Sequence, residues 1–150
     1  FARRADLADP LGALLAPYLS EVARVYQVDR VVPIPLHWRR RWRRGYDQSV
    51  LLAQATMHHA GHPVPFDDLL RRNRATAAQS GLGAPARRRN LEGAFELTAR
   101  ADARVRGATL LLIDDVITTG ATVSSAAASL LQAGAKAVVA VALARASDAP

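Results

Sequence analysis

Two wholly apolar runs near the C-terminus, separated by a segment of helix length, restrict the fold more than any other feature of this chain. Thr109 to Ile113 reads TLLLI and Ala137 to Ala144 reads AVVAVALA, with no polar residue alternating through either run. Side chains of a strand alternate between its two faces, so a strand apolar at successive positions must be covered on both. Between the runs, Ala121 to Gln132 carries Val123, Ala127, Leu130 and Leu131 at helical spacing, and Gly134 follows as a terminator. The pattern predicts a βαβ unit with a right-handed crossover, hence an α/β fold with a parallel sheet covered by helices on both sides.

The rest of the chain fits around this unit. Its 150 residues suit one domain, 1–150, with a single core. Leu7, Leu11, Leu14, Leu15, Val22 and Val25 recur at helical spacing, which predicts an amphipathic helix from Asp6 to about Tyr26, with Pro17 as a point of possible break. Arg30 to Ile34, RVVPI, reads as a first buried strand stopped by Pro33 and Pro35. Asp47 is placed to cap a helix with apolar positions Val50, Leu51 and Ala55, ended by Gly61 with Pro63 beyond. Phe66 to Leu70 reads as a further strand, and Arg71 to Asn90, polar and rich in Arg and Ala, as a long mobile loop.

Composition adds bounds. No run approaches the roughly 18 apolar residues of a membrane span and no leader pattern opens the chain, so the expectation is a soluble cytoplasmic protein without membrane insertion. The helical start at Asp6 looks like a sequence entered partway. With no cysteine there is no disulfide and no thiolate metal site. The net charge of +7 is almost wholly arginine, because Lys136 is the only lysine. Codon bias accounts for such a preference, yet guanidinium forks also match phosphate oxygens bidentately, which favours an anionic ligand or partner.

Chemistry concentrates in Leu110 to Thr122, LLLIDDVITTGAT. A strand to Ile113 followed by a loop from Asp114 to Gly120 puts Asp114 and Asp115 at the carboxyl end of a buried strand, where open α/β sheets bind ligands. Thr118, Thr119, Gly120, Ala121 and Thr122 then form a turn into a helix, whose unpaired amides and positive dipole end favour a phosphate. Two carboxylates beside that cradle repel a bare anion, so the ligand must also offer hydroxyls or a metal ion; a ribose 5-phosphate does. The bland alternative is an acidic pair that merely caps a helix. Neither GxxxxGK[ST] nor GxGxxG occurs in the chain.

The segment resembles the signature of type I phosphoribosyltransferases, and the chain is similar to the ComF (amidophosphoribosyltransferase-like) family associated with competence for DNA uptake. The matching pieces are VPIPLH at Val32 to His37, RRGYDQ at Arg43 to Gln48, Arg72, Arg74, Thr76, Gln79 and Leu82, then Arg87 with Asn90, GAF at Gly93 to Phe95, and DDVITTGAT at Asp114 to Thr122. They run in family order over roughly three quarters of the chain. The resemblance implies a type I phosphoribosyltransferase fold, a mainly parallel twisted sheet with a flexible hood. It implies phosphoribosyl pyrophosphate as ligand, with Asp114 and Asp115 as catalytic residues and the cradle from Thr118 to Thr122 holding its phosphate. Pro35, Leu36 and His37 would form the pyrophosphate loop. Arg44 would contact the pyrophosphate or that loop, and Arg72, Arg74, Gln79 and Arg87 would belong to the hood. Mg²⁺ is expected, touched by Asp114 and Asp115 mainly through water. A homodimer is implied as well.

Two departures bear on the reaction. Many purine-salvage members carry an acidic residue where Thr118 stands, and orotate-type members place a lysine in the hood, where this chain has none. The family's N-terminal four-cysteine zinc module is missing from this sequence, either trimmed or never present. Transfer of ribose 5-phosphate to an unidentified acceptor is therefore one reading. The other is a non-catalytic competence module that binds single-stranded DNA or a partner protein through Arg39 to Arg44, which places five arginines in six positions around Trp42. Trp42 would stack on a base or cover the loop's own apolar floor. His58, His59 and His62 read as surface residues, since Gly61 breaks the helix between them and no acidic residue is near in sequence.

Overall fold

The computed structural model describes residues 7–35, 48–61, 64–73, 93–99 and 101–146. Its elements in order are α1 (Ala8–Tyr26), β1 (Arg30–Pro33), α2 (Gln48–Ala60), β2 (Leu70–Arg72), β3 (Phe95–Leu97), α3 (Asp102–Val105), β4 (Thr109–Ile117), α4 (Ala121–Gln132) and β5 (Ala137–Arg145). The segment read as a mobile loop overlaps β2 at its start; residues 74–92 lie outside the described residues.

The predicted βαβ unit is present: β1, β4 and β5 form a parallel sheet in that order. Register runs from Arg30 opposite Leu110 and from Thr109 opposite Ala137. β4 is central, and its unbroken apolar run is explained by two cores. Leu110 and Leu112 join Val32, Ile34, Ala126 and Leu130 on one face. Leu111 and Ile113 join Val31, Leu15, Leu19, Leu52 and Ala53 on the other. α4 thus covers one side and α1 with α2 the other, the doubly covered arrangement that such a run demands. Among the described residues β5 is an edge strand, half-buried, with Ala140 and Ala144 exposed.

Several expectations are corrected. Pro17 lies inside α1 without ending it; the helix stops at Gln27, which is left-handed at φ 50° and donates its N–H to the Ala23 carbonyl. Leu14 and Val25 are 65% and 56% exposed, whereas Gly12, Leu15, Ala16, Leu19 and Ala23 are buried. α1 packs on α2 through small residues, a face that hydrophobic periodicity does not mark. In α2 the deepest positions are Ser49, Leu52, Ala53 and Thr56, with Val50, Leu51 and Ala55 only half-buried, because the stripe that faces inward mixes hydroxyl and apolar residues and so is not marked by hydrophobic periodicity. Leu131 of α4 is likewise exposed. The expected strand from Phe66 to Leu70 is split: Phe66 forms an isolated parallel bridge with Val31, and β2 starts at Leu70. β2 pairs antiparallel with β3, a ribbon the sequence reading lacked.

Ion pairs secure the amino-terminal end of the sheet. Asp67 takes Arg30 at 2.5 Å and also Arg104, and Asp29 accepts the Thr109 N–H at 2.8 Å. No helix among the described residues is long and apolar enough to cross a membrane.

Candidate functional site

At the carboxyl end of the sheet β1 and β4 part company. β1 is last in register at Pro33 opposite Ile113, and Ile34 makes a final N–H bond to the Ile113 carbonyl at 3.0 Å. Pro33 and Pro35 cannot donate further ladder bonds, so the strand ends there. β4 continues to Ile117 beside β5, with Asp114 opposite Ala142 and Val116 opposite Ala144. Asp114 and Asp115 are therefore part of the strand and not of a loop, as the sequence had suggested; the loop proper is 118–120. Pairing with β5 and the β-branched Val116 and Ile117 extend the strand past the acidic pair. From Asp114 onward, β4 has a ladder partner on its β5 side alone among the described residues, at the carboxyl end of the sheet, the end at which such sheets bind ligands.

Each aspartate folds onto the amide that follows it. Asp114 Oδ1 accepts the Asp115 N–H at 2.9 Å and Asp115 Oδ1 accepts the Val116 N–H at 2.8 Å. The Asp114 carboxyl is pushed up to about 7, first by burial and then by the adjacent Asp115 charge. Two crowded carboxylates, one poorly solvated, make a site that favours hydroxyl donors or a cation.

Directly beyond lies the turn into α4. Thr118 and Thr119 are exposed, and Gly120, Ala121 and Thr122 are half-buried. The first helical bond runs from the Ser124 N–H to the Gly120 carbonyl at 2.8 Å. The amides of Ala121, Thr122 and Val123 then lack an intrahelical acceptor, and the N-cap residue, Gly120, has no side chain to offer them. Such an end attracts anions. Gly120 is left-handed at φ 73°. Gly120→Ala has open space for its methyl group yet meets backbone strain of about 1–2 kcal/mol, so it should lower the thermal midpoint by a few degrees without a packing clash.

The structure also supplies a residue that sequence reasoning missed. Ser49, buried at the start of α2, donates its hydroxyl to Asp114 Oδ1 at 3.4 Å. The available signal was a polar residue on the same helical stripe as Leu52, Ala53 and Thr56.

Of the other expected site residues, Pro35 is half-buried just past β1. Arg72 lies on β2 with its guanidinium 5.4 Å from the Phe95 ring centroid, a cation–π arrangement. Leu36, His37, Arg44, Arg74, Gln79 and Arg87 lie outside the described residues, as does the basic patch from Arg39 to Arg44. His59 does have an acidic neighbour, contrary to expectation: α1 brings Asp9 to 2.8 Å from its Nε2.

Comparison with known proteins places this geometry. The model of the phosphoribosyl transferase domain matches residues 47–149. The chain is 40% identical over 141 residues to the DNA utilization protein YhgH of Escherichia coli (strain K12), covering 92% of this chain and 60% of that protein. It is 34% identical over 139 residues to competence protein F of Haemophilus influenzae, covering 91% and 60%. The chain thus spans about 60% of the length of these curated relatives. Among solved structures, the glutamine phosphoribosylpyrophosphate amidotransferase from B. subtilis superimposes with a TM-score of 0.57 at 22% identity, over 91% of this chain and 26% of that one. The purine phosphoribosyltransferase from Pyrococcus horikoshii gives 0.54 at 16%, over 90% and 73%. At these identities the structural likeness concerns the fold.

Proposed function

Because this chain belongs to the phosphoribosyl transferase domain family, we propose that it binds phosphoribosyl pyrophosphate and transfers its ribose 5-phosphate to an acceptor with release of pyrophosphate. One observation carries the reading: the Asp114 and Asp115 pair lies just past the last β1–β4 pair, and β4 then runs to Ile117 and through a three-residue turn, 118–120, into the amino terminus of α4, whose N-cap is Gly120. A ribose 5-phosphate satisfies both halves at once. Its phosphate takes the amides and hydroxyls from Thr118 to Thr122, and its 2- and 3-hydroxyls donate to the carboxylates.

Pro35, Leu36, His37 and Arg44 would contact the pyrophosphate, and Arg72, Arg74, Gln79 and Arg87 would close over it. Arginine suits that work because its fork engages phosphate oxygens in pairs. The donor set fits Mg²⁺, a hard cation that keeps several waters; Asp114 and Asp115 would hold it mainly through water, and it would neutralise pyrophosphate charge. Thr118 supplies no carboxylate for moving a proton from a base, which supports an acceptor other than a purine. A cytoplasmic location and a homodimeric state belong to the same proposal.

Titration calorimetry with phosphoribosyl pyrophosphate and Mg²⁺ should show saturable binding, and pyrophosphate release against candidate acceptors should identify the nucleophile. Binding without turnover would reduce the reading to a ligand-regulated module, and no binding would remove it. A second reading draws on the names of the relatives, DNA utilization protein and competence protein F, and on the arginines from Arg39 to Arg44. If the chain is a DNA-binding competence module, its affinity for a single-stranded oligonucleotide should fall steeply with salt as counterions are released. Undetectable or salt-independent binding would count against it.

A further inference from the structure

We propose that Ser49 is a positioning residue for Asp114, holding the carboxylate in the orientation in which it receives a ribose hydroxyl. This rests on the ligand reading above and adds a residue that neither the signature segment nor the hood contains.

The inward stripe of α2 carries two buried hydroxyls, and their different solutions are informative. Thr56 satisfies its hydroxyl within the helix, on the Leu52 carbonyl at 2.7 Å. Ser49, only 1% exposed, reaches out of the helix to an oxygen 65 residues away in sequence. A hydroxyl so deeply buried costs free energy unless it is bonded, and the contact at the acidic pair is one of the interactions that Ser49 makes.

The contact is on Oδ1, the oxygen that also accepts the Asp115 N–H at 2.9 Å. Two donors on one oxygen fix the carboxylate plane, and Oδ2 is the oxygen that neither of these donors occupies. Ser49 lies in the first turn of a helix of 13 residues, so the positive end of the helix dipole reinforces the same contact. The donor is itself held firmly, because α2 is locked against α1 where Gly12 meets the backbone of Ala55 and Thr56. At 3.4 Å the contact is longer than the usual range for a hydroxyl donor, so it contributes little to folding, and its part is to limit the directions open to the carboxylate.

The test uses calorimetry with phosphoribosyl pyrophosphate and Mg²⁺ on the unsubstituted chain, Ser49→Ala and Ser49→Thr, alongside thermal unfolding of each. Ser49→Ala should bind about threefold to tenfold more weakly, at or below the usual order for one bond to a charged group because the contact is long, with its midpoint shifted by no more than about 2 °C. Ser49→Thr, which keeps the hydroxyl, should recover most of the affinity. Equal affinity in Ser49→Ala and the unsubstituted chain overturns the inference and leaves the ligand reading standing. Loss of affinity matched by loss of stability, and not relieved by threonine, makes Ser49 a packing residue and overturns it too. Failure of the unsubstituted chain to bind removes the ligand reading, and this inference with it.

Discussion

Asp114→Asn is expected to raise the thermal midpoint of the unliganded protein at pH 8 while lowering its affinity for phosphoribosyl pyrophosphate by at least about 100-fold, as the loss of two charge-assisted bonds implies. In the folded chain the Asp114 carboxyl titrates near 7, pushed up from an ordinary value of 3.8 by burial and by Asp115. Between those values the folded state binds more protons than the unfolded state, so stability falls as pH rises through the window, and the penalty is complete above it. Asparagine keeps the shape and removes the charge. The advantage of the variant should be largest above pH 7, on the order of 2–4 kcal/mol, and should shrink as pH falls towards 4. Thermal unfolding at pH 8 and pH 5 reads this directly. A midpoint at pH 8 equal to or below that of the parent would show that Asp114 is not strained. Unchanged ligand affinity in both Asp114→Asn and Asp115→Asn would show that the pair has no part in binding. The retention of an acid that costs stability is what a functional site looks like in physical terms, since sites break local rules that the rest of the fold obeys.

Gly12→Ala should be the most damaging single methyl group added to this chain. On an exposed helix the change stabilises by about 1 kcal/mol, because glycine is the poorer helix former. At Gly12 the sign reverses. An added Cβ would lie 2.6 Å from Ala55 Cβ and 2.7 Å from the Ala55 carbonyl carbon and the Thr56 nitrogen. Two of those atoms are backbone and cannot swing aside, so α1 and α2 must separate, at an overpacking cost of roughly 1–3 kcal/mol. Urea denaturation should show the midpoint fall with an unchanged slope. Because Ala55 and Thr56 belong to the helix that carries Ser49, ligand affinity should also fall. A variant as stable as the parent would mean that the two helices do not meet at Gly12.

The two expectations differ in what the sequence could have supplied. Asp114 and Asp115 stand out in the segment as a candidate site, since a charged pair after TLLLI and before TTGAT is a local anomaly. Gly12 was not, because a glycine among alanines and leucines carries no mark of the backbone that will lie against it. The same divide runs through the fold. Thr109 to Ile113, Ala121 to Gln132 and Ala137 to Ala144 came out as strand, helix and strand because an unbroken apolar run or one apolar stripe is written in each residue in turn, although only Thr109 to Ile113 is fully buried and Ala137 to Ala144 forms a half-buried edge. The face of α1 came out rotated, with Leu14 and Val25 exposed, because α2 selected the small side chains of Gly12 and Ala16.

By itself, the sequence determined the parallel α/β sheet, the order of its C-terminal elements and the location of the acidic pair and the turn into α4 at its carboxyl end. Those properties follow from side-chain chemistry within a few residues. Only the tertiary structure decided that β4 runs on to Ile117 beyond the last residue of β1, that β2 and β3 form a ribbon and that Ser49 reaches Asp114 across 65 residues. Each depends on which segment is brought opposite another, and a contact between distant residues leaves no periodicity in either of them.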